Sequence, residues 1–182
     1  AVKAATQRVT DLTDHLLRTL PSWSLSPVVD ALVALRGIDK LAATVLLAEL
    51  GDISRFDSPK QLMAYLGLVP SEHSSGGHRR QGAITLTGNR HARRMLVECA
   101  WSYRFPARQT MHLKRKAKTA SPEAKAIAWR AQKRLCGRYR QLAQGGKNVK
   151  LVCVAIAREL VGFIWDIVRH EMPRVAGQQT MV

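Results

Sequence analysis

Residues 151–168 read Leu151-Val152-Cys153-Val154-Ala155-Ile156-Ala157-Arg158-Glu159-Leu160-Val161-Gly162-Phe163-Ile164-Trp165-Asp166-Ile167-Val168. Drawn as a helix over roughly 148–170, the stretch is apolar on most sides: Val152, Val154, Ile156, Leu160, Val161, Phe163, Ile164 and Trp165 cover more than one face. A helix of that kind belongs in the centre of a core. Its longest unbroken apolar run, Leu151 to Ala157, falls far short of the about 20 residues that span a bilayer. The fold class that follows is mainly α, with other helices gathered around this one. The 182 residues, 46% of them apolar, suffice for one domain with a real core, and an aromatic share of 5% is thin for a β-sandwich.

Working outward, the helical period recurs in most of the chain. Residues 3–20 form an amphipathic helix with Val9, Leu12, Leu16 and Leu17 on one face, ended by Pro21. Pro27 opens a second helix, which the spacing of Val28, Ala31, Leu32 and Leu35 carries to Gly37. A third runs from near Lys40 to a glycine cap at Gly51. Ser58-Pro59-Lys60-Gln61 has a capping serine, proline at the first helical position and a glutamine three residues after the serine, so a short helix follows, ending near Gly67. Helix resumes near Asn89, with Ala92, Met95, Leu96, Cys99, Ala100 and Tyr103 as its buried stripe. A basic helix follows Pro106 and ends in Lys114-Arg115-Lys116-Ala117-Lys118. Ser121-Pro122-Glu123 starts a long one that Gly145-Gly146 breaks.

Between Leu68 and Gly88 the period is lost. Pro70, Gly76, Gly77, Gly82 and Gly88 interrupt a run of serine, histidine and arginine, and Ala83-Ile84-Thr85-Leu86 is its strand-like piece, so a long loop or short β-ribbon is inserted here. Long insertions in compact domains tend to be functional.

Charge points to the same region. Against 29 Lys and Arg stand 13 Asp and Glu, a net charge of +16. Residues 1–70 and 151–182 are each balanced. Residues 71–150 carry 19 basic residues against Glu72, Glu98 and Glu123, so the whole excess lies there. A solvated basic helix face is the plainer reading. A polyanion, with nucleic acid first, fits the near absence of acidic partners better. Arg90, Arg93 and Arg94 sit in the first turns of a helix, where they oppose its dipole and where a bound phosphate would relieve them. The three cysteines, Cys99, Cys136 and Cys153, fit neither a disulfide framework nor a zinc site, and a cytoplasmic protein with no membrane association is expected. The start at Ala1 leads us to expect a fragment whose amino-terminal part is missing.

Two constellations could carry chemistry. Leu32-Val33-Ala34-Leu35-Arg36-Gly37-Ile38-Asp39, with Ala43 beyond, resembles a helix-hairpin-helix element, whose glycine turn offers backbone amides to a DNA phosphate. Asp39 stands where the second glycine is usual, and an ordinary helical hairpin is the equal alternative. The second is His73-Ser74-Ser75-Gly76-Gly77-His78-Arg79-Arg80, followed by Gly82, Thr85 and Gly88-Asn89-Arg90. Its glycines let a backbone approach closely and its arginines offer forked donors to phosphate oxygens, which is what a serine attacking a phosphodiester needs. Ser-Ser-Gly-Gly is equally at home in inert loops. His73 and His78 could bind metal or move protons. Carboxylates for a two-metal nuclease are lacking where the charge is.

Arg36-Gly37-Ile38, Leu46-Leu47-Ala48-Glu49-Leu50-Gly51-Asp52-Ile53, Arg55-Phe56, Ala64-Tyr65-Leu66-Gly67-Leu68-Val69-Pro70, Ser75-Gly76-Gly77, Arg79-Arg80-Gln81-Gly82, Ile84-Thr85 and Gly88-Asn89 form an ordered string. With Arg138-Tyr139, Gly146-Lys147 and Ala155-Ile156-Ala157-Arg158-Glu159-Leu160, it resembles the carboxy-terminal domain of DEDD-type insertion-sequence transposases, the recombinases guided by a bridge RNA. The resemblance covers roughly residues 28–170. It implies that Ser75, with Ser74 as the fallback, attacks DNA and becomes covalently attached to it; Arg79, Arg80, Arg90, Arg93, Arg94 and Lys147 are the residues expected to hold nucleic acid. It implies DNA and a guide RNA as partners, a homo-oligomer in the full-length protein, and no cofactor in this part, the divalent metal (Mg) belonging to four carboxylates of an amino-terminal RuvC-like domain. The division expected is 1–22 as the end of a coiled-coil or linker helix, 28–170 as the transposase domain (28–104 hairpin plus serine loop, 105–170 basic helices and buried final helix) and 171–182 as a tail. The alternative from another class is a non-enzymatic helix-hairpin-helix-type module that binds nucleic acid and gives Ser75 no role.

Overall fold

The computed structural model describes residues 2–72 and 81–179, except the side chains of Gln81 and of residues 174–179. It contains α1 (Val2–Thr19), α2 (Ser26–Leu32), α3 (Lys40–Leu50), α4 (Pro59–Tyr65), β1 (Pro70–Glu72), β2 (Gln81–Ile84), α5 (Arg90–Ala100), α6 (Met111–Lys116), α7 (Pro122–Gln144) and α8 (Val149–Gln179), with short 3₁₀ turns at Leu20–Ser22, Ile53–Arg55 and Trp101–Arg104. The protein is mainly α, as expected.

α8 is the axis. Val152, Cys153, Ile156, Ala157, Leu160, Val161, Ile164, Ile167 and Val168 are all buried on it, and α7, α5, α2 and α4 pack against it. Burial on so many sides at about 25 cal/mol per Å² of apolar surface is the main force behind this arrangement. The helix does not stop near 170 but runs on to Gln179 through Pro173. Glu171, just past that point, is itself docked: it is buried, and its carboxylate accepts the hydroxyl of Ser121 at the start of α7.

Most starts follow their capping residues. Asp39, Ser58, Asn89, Thr110 and Ser121 each accept a backbone N–H from the first turn of the helix that follows, which satisfies a donor the helix itself cannot. Gln61 completes the box from one residue further out than the usual pattern, its side-chain oxygen accepting the N–H of Asp57 at 2.9 Å. The second helix is shorter than its apolar spacing predicts. It ends at Leu32, and Ala34 and Leu35 donate three residues back, to Ala31 and Leu32. Side chains take up carbonyls of this tightened turn: Lys116 Nζ donates to the carbonyls of Leu35 and Ile38 at 2.9 and 2.7 Å. Gly37 closes the turn at φ +84°, where a β-carbon would run into the Cys99 carbonyl and the Ser102 hydroxyl.

α1 differs from the rest. None of its residues is buried, and Val2, Val9, Leu12 and Leu17 are exposed. It meets the remainder of the protein through the Leu20–Ser22 turn and α3.

Candidate nucleic-acid interface

The region without helical period is a two-stranded antiparallel ribbon, with Pro70 opposite Ile84, Glu72 opposite Gln81 and a register irregularity between the two pairs. Ser74, Ser75, His73, His78, Arg79 and Arg80 fall between its strands in sequence and lie outside the described residues.

The base of the ribbon is held tightly. Thr85 N–H donates to the Val69 carbonyl at 3.0 Å and Leu86 N–H to that of Gly67 at 3.2 Å, which extends the pairing to the end of α4. Gly67 (φ +63°) and Gly88 (φ +72°) are left-handed, and a β-carbon on either would strike backbone, of Thr87 and of Tyr65 respectively. The two arms therefore approach as only glycine permits. Leu86 also has a positive φ, 56°, uncommon for a side-chain-bearing residue and a mark of local constraint.

Arg93 locks this base from within. It is 8% exposed, and its Nη1 donates to the carbonyls of Leu66 at 2.9 Å and Thr87 at 2.7 Å. One nitrogen thus ties the end of α4 to the exit of the ribbon, and what read as a phosphate ligand in the sequence is engaged inside the protein. Its neighbours on α5 differ: Arg90 is exposed, and the Arg94 side chain is 81% exposed with an ion pair to Glu98 at 3.1 Å. Asn89 caps α5 through Ala92 N–H and donates its amide to the Glu49 carboxylate at 2.6 Å, fixing the helix start to α3. The structure thus brings Arg90 and Arg94 together beside the ribbon exit. Lys147 is exposed on a different element, the turn between α7 and α8.

Some of the positive middle of the chain is compensated in space by the balanced carboxy-terminal stretch. Arg130 bonds Asp166 at 2.8 Å, Arg134 bonds Glu159 at 3.0 Å, and Arg138 lies 3.4 Å from the same carboxylate. These pairs orient α7 on α8 more than they stabilise it, since exposed pairs contribute ~0–1 kcal/mol. Lys114, Lys125 and Lys133 form no ion pair among the described residues.

Sequence reasoning missed a second group of residues. Lys116 sits under the α2–α3 turn, and burial pulls its ammonium down to about 8 against the raising influence of Asp39 and Cys99. Asp39, which stands where a helix-hairpin-helix turn usually has its second glycine, is the α3 cap, accepting Ala42 N–H at 2.7 Å. Arg36 donates to the Pro106 carbonyl at 2.9 Å and approaches the Cys136 sulfur at 3.8 Å. Burial pushes the Cys99 thiol up to about 12 and drives the Tyr103 phenol far above its ordinary range. All three cysteines are free and buried, so none is an accessible nucleophile. Arg104 stacks over Phe105 at 4.4 Å and Trp101 at 5.6 Å, both half-exposed. Arg-aromatic neighbours along 101–105 were a legible signal for this cluster; the Lys116 contacts, some 80 residues apart in sequence, had none.

Among the described residues no three His, Cys, Asp or Glu side chains converge as a metal site, and no helix is long and apolar enough to cross a membrane.

Comparison with known proteins agrees with the ordered motifs. Residues 29–116 match a family described as transposase IS116/IS110/IS902 family. The chain is 50% identical over 151 residues to "Putative transposase y4qE" of Sinorhizobium fredii, covering 83% of this chain and 39% of the relative. It is 31% identical over 135 residues to "Transposase for insertion sequence element IS1111A" of Coxiella burnetii, covering 74% and 31%. It is 27% identical over 146 residues to "Pilin gene-inverting protein" of Moraxella bovis, covering 78% and 37%. The chain thus spans less than two-fifths of the length of these relatives.

Proposed function

We propose that this chain, whose residues 29–116 match the transposase IS116/IS110/IS902 family, is the nucleic-acid-binding, serine-bearing part of a DNA transposase of the DEDD type, guided by a bridge RNA. The observation that carries the reading is the placement of the cationic excess: the whole net charge of +16 arises in residues 71–150, the stretch that includes β2 and the α5 arginines.

In this reading the two strands of the ribbon, Pro70–Glu72 and Gln81–Ile84, flank the serine segment in sequence. Ser75 Oγ attacks a phosphodiester as a base takes its proton, the bond from phosphorus to the sugar oxygen breaks, and that proton is returned to the departing oxygen. The DNA is then joined to the serine through phosphorus. Arg79, Arg80, Arg90, Arg94 and Lys147 neutralise phosphates, whereas Arg93 acts by holding the ribbon base. Ser74 is the fallback nucleophile. The carboxylates that hold divalent metal belong to another domain of the full-length protein. The exposed apolar face of α1 supports the coiled-coil reading of residues 1–22 and a homo-oligomer built through it.

The test uses the full-length transposase with Mg, guide RNA and target DNA. A protein–DNA adduct that survives denaturing electrophoresis is expected with the unaltered protein and not with Ser75→Ala. An adduct that persists in Ser75→Ala and vanishes in Ser74→Ala moves the role to Ser74. With no adduct in the unaltered protein, the serine mechanism is wrong and the binding-module alternative stands.

A further inference from the structure

A cavity of about 250 Å³ lies between α6, α7 and the α2–α3 turn, away from the ribbon. Ala34, Leu113, Ala117, Ala128, Trp129 and Gln132 are among the residues that line it. The α7 contributors, 125, 128, 129 and 132, recur at the three- and four-residue spacing that places them on one helix face. The volume falls below the ~300–1,000 Å³ of ordinary small-molecule pockets and suits one planar ring system.

Three features say which ring system. Trp129 lines the cavity, and a cavity with an aromatic residue in its lining favours a flat partner that can stack on it. Gln132 is 6% exposed; its side-chain oxygen accepts Arg108 N–H at 2.6 Å, and its amide nitrogen donates to no described group. The nitrogen is a free donor on a residue that lines the cavity, and it can meet an acceptor such as a ring nitrogen or carbonyl. Lys114 and Lys125 line the same cavity, and Lys133 lies 5.7 Å from the Trp129 ring. Those three lysines carry no ion pair among the described residues, in contrast to Arg130, Arg134 and Arg138, which face the acids of α8.

We propose that this cavity takes one unpaired nucleobase of a single-stranded segment, stacked on Trp129 and hydrogen-bonded by Gln132, with Lys114 and Lys125 on the flanking phosphates. The inference rests on the nucleic-acid-binding reading above and adds a site to it that the serine chemistry does not use. A base in a duplex is stacked and paired, so the cavity selects strands, or positions in a strand, where that cost is already met.

The experiment measures binding of the 182-residue chain to a fluorescent single strand and to an abasic strand of equal length and charge, with DNA and RNA versions to show which backbone carries the base. The unaltered protein should prefer the strand with bases by about tenfold, the range that one base–aromatic stack supplies. Trp129→Ala should abolish the preference, Trp129→Phe should keep most of it, and Ala117→Leu, which fills the cavity from a half-buried position without removing any group, should abolish it too. Equal binding of both strands by the unaltered protein, or a preference that survives both Trp129→Ala and Ala117→Leu, overturns the site while leaving phosphate binding intact. Binding of neither strand overturns the nucleic-acid reading together with it.

Discussion

Replacing Arg93 by methionine breaks two hydrogen bonds from a buried guanidinium to the carbonyls of Leu66 and Thr87, and should cost roughly 2–3 kcal/mol of stability in a denaturant titration. Arg90→Gln and Arg94→Gln touch exposed side chains. They should leave stability within about 0.5 kcal/mol and lower the salt slope of DNA binding by ~0.9 each. A variant of Arg93 that loses slope but not stability would return that residue to the phosphate-binding set. Lys116 gives a pH prediction. Its folded value of about 8 lies below the ordinary 10.5, so between those values the unfolded chain holds a proton that the folded chain has shed, and stability from this group rises with pH across that window. Cys99, raised from 9.0 to about 12, works the other way: above pH 9 the unfolded chain loses a proton that the folded chain keeps. The gain is therefore read as a difference, the melting temperature of the unaltered protein minus that of Lys116→Met, which should grow from pH 8 to pH 10. A flat difference would contradict the burial of the ammonium. None of this was legible residue by residue. Arg93 reads as one of three arginines in a helix start, and only the arrival of Leu66 and Thr87 separates it from the other two.

At the scale of elements, turns and caps were readable and lengths less so. Ser58-Pro59 and Ser121-Pro122 announce their helices because the cap and the first-turn proline are local chemistry. The apolar period through Leu35 overshot α2 because burial continues where the helix does not: Leu32, Val33 and Leu35 stay in the core while the backbone tightens into a turn. The ribbon was expected as a loop or a short pair of strands, yet what fixes it, two glycines pressed against backbone and one buried arginine, is tertiary. Gly67→Ala and Gly88→Ala should each cost more than about 2 kcal/mol, the left-handed strain of ~1–2 kcal/mol plus a backbone clash. Gly146→Ala, at φ +71° with open space around it, should cost the strain alone. Urea midpoints for the three variants check the ordering, and equal losses would mean that the ribbon base yields easily.

For the whole molecule, the charge count along the sequence located the cationic stretch but not which cations are free. Glu159 faces both Arg134 and Arg138, partners 21 to 25 residues away, and that pairing became visible only once α7 lay on α8. Glu159→Gln should release the two arginines, tighten non-specific DNA binding several-fold and steepen its salt dependence; unchanged binding would place those arginines away from the nucleic acid. The central claim concerns Ser75, and the most direct measurement locates the bond it is proposed to form. The denatured adduct of full-length protein and DNA is digested with nuclease and trypsin, and the modified peptide is sequenced by mass spectrometry. The account predicts a nucleotide remnant on the peptide spanning residues 61–79, attached at Ser75; a remnant on any residue outside 73–80 contradicts it.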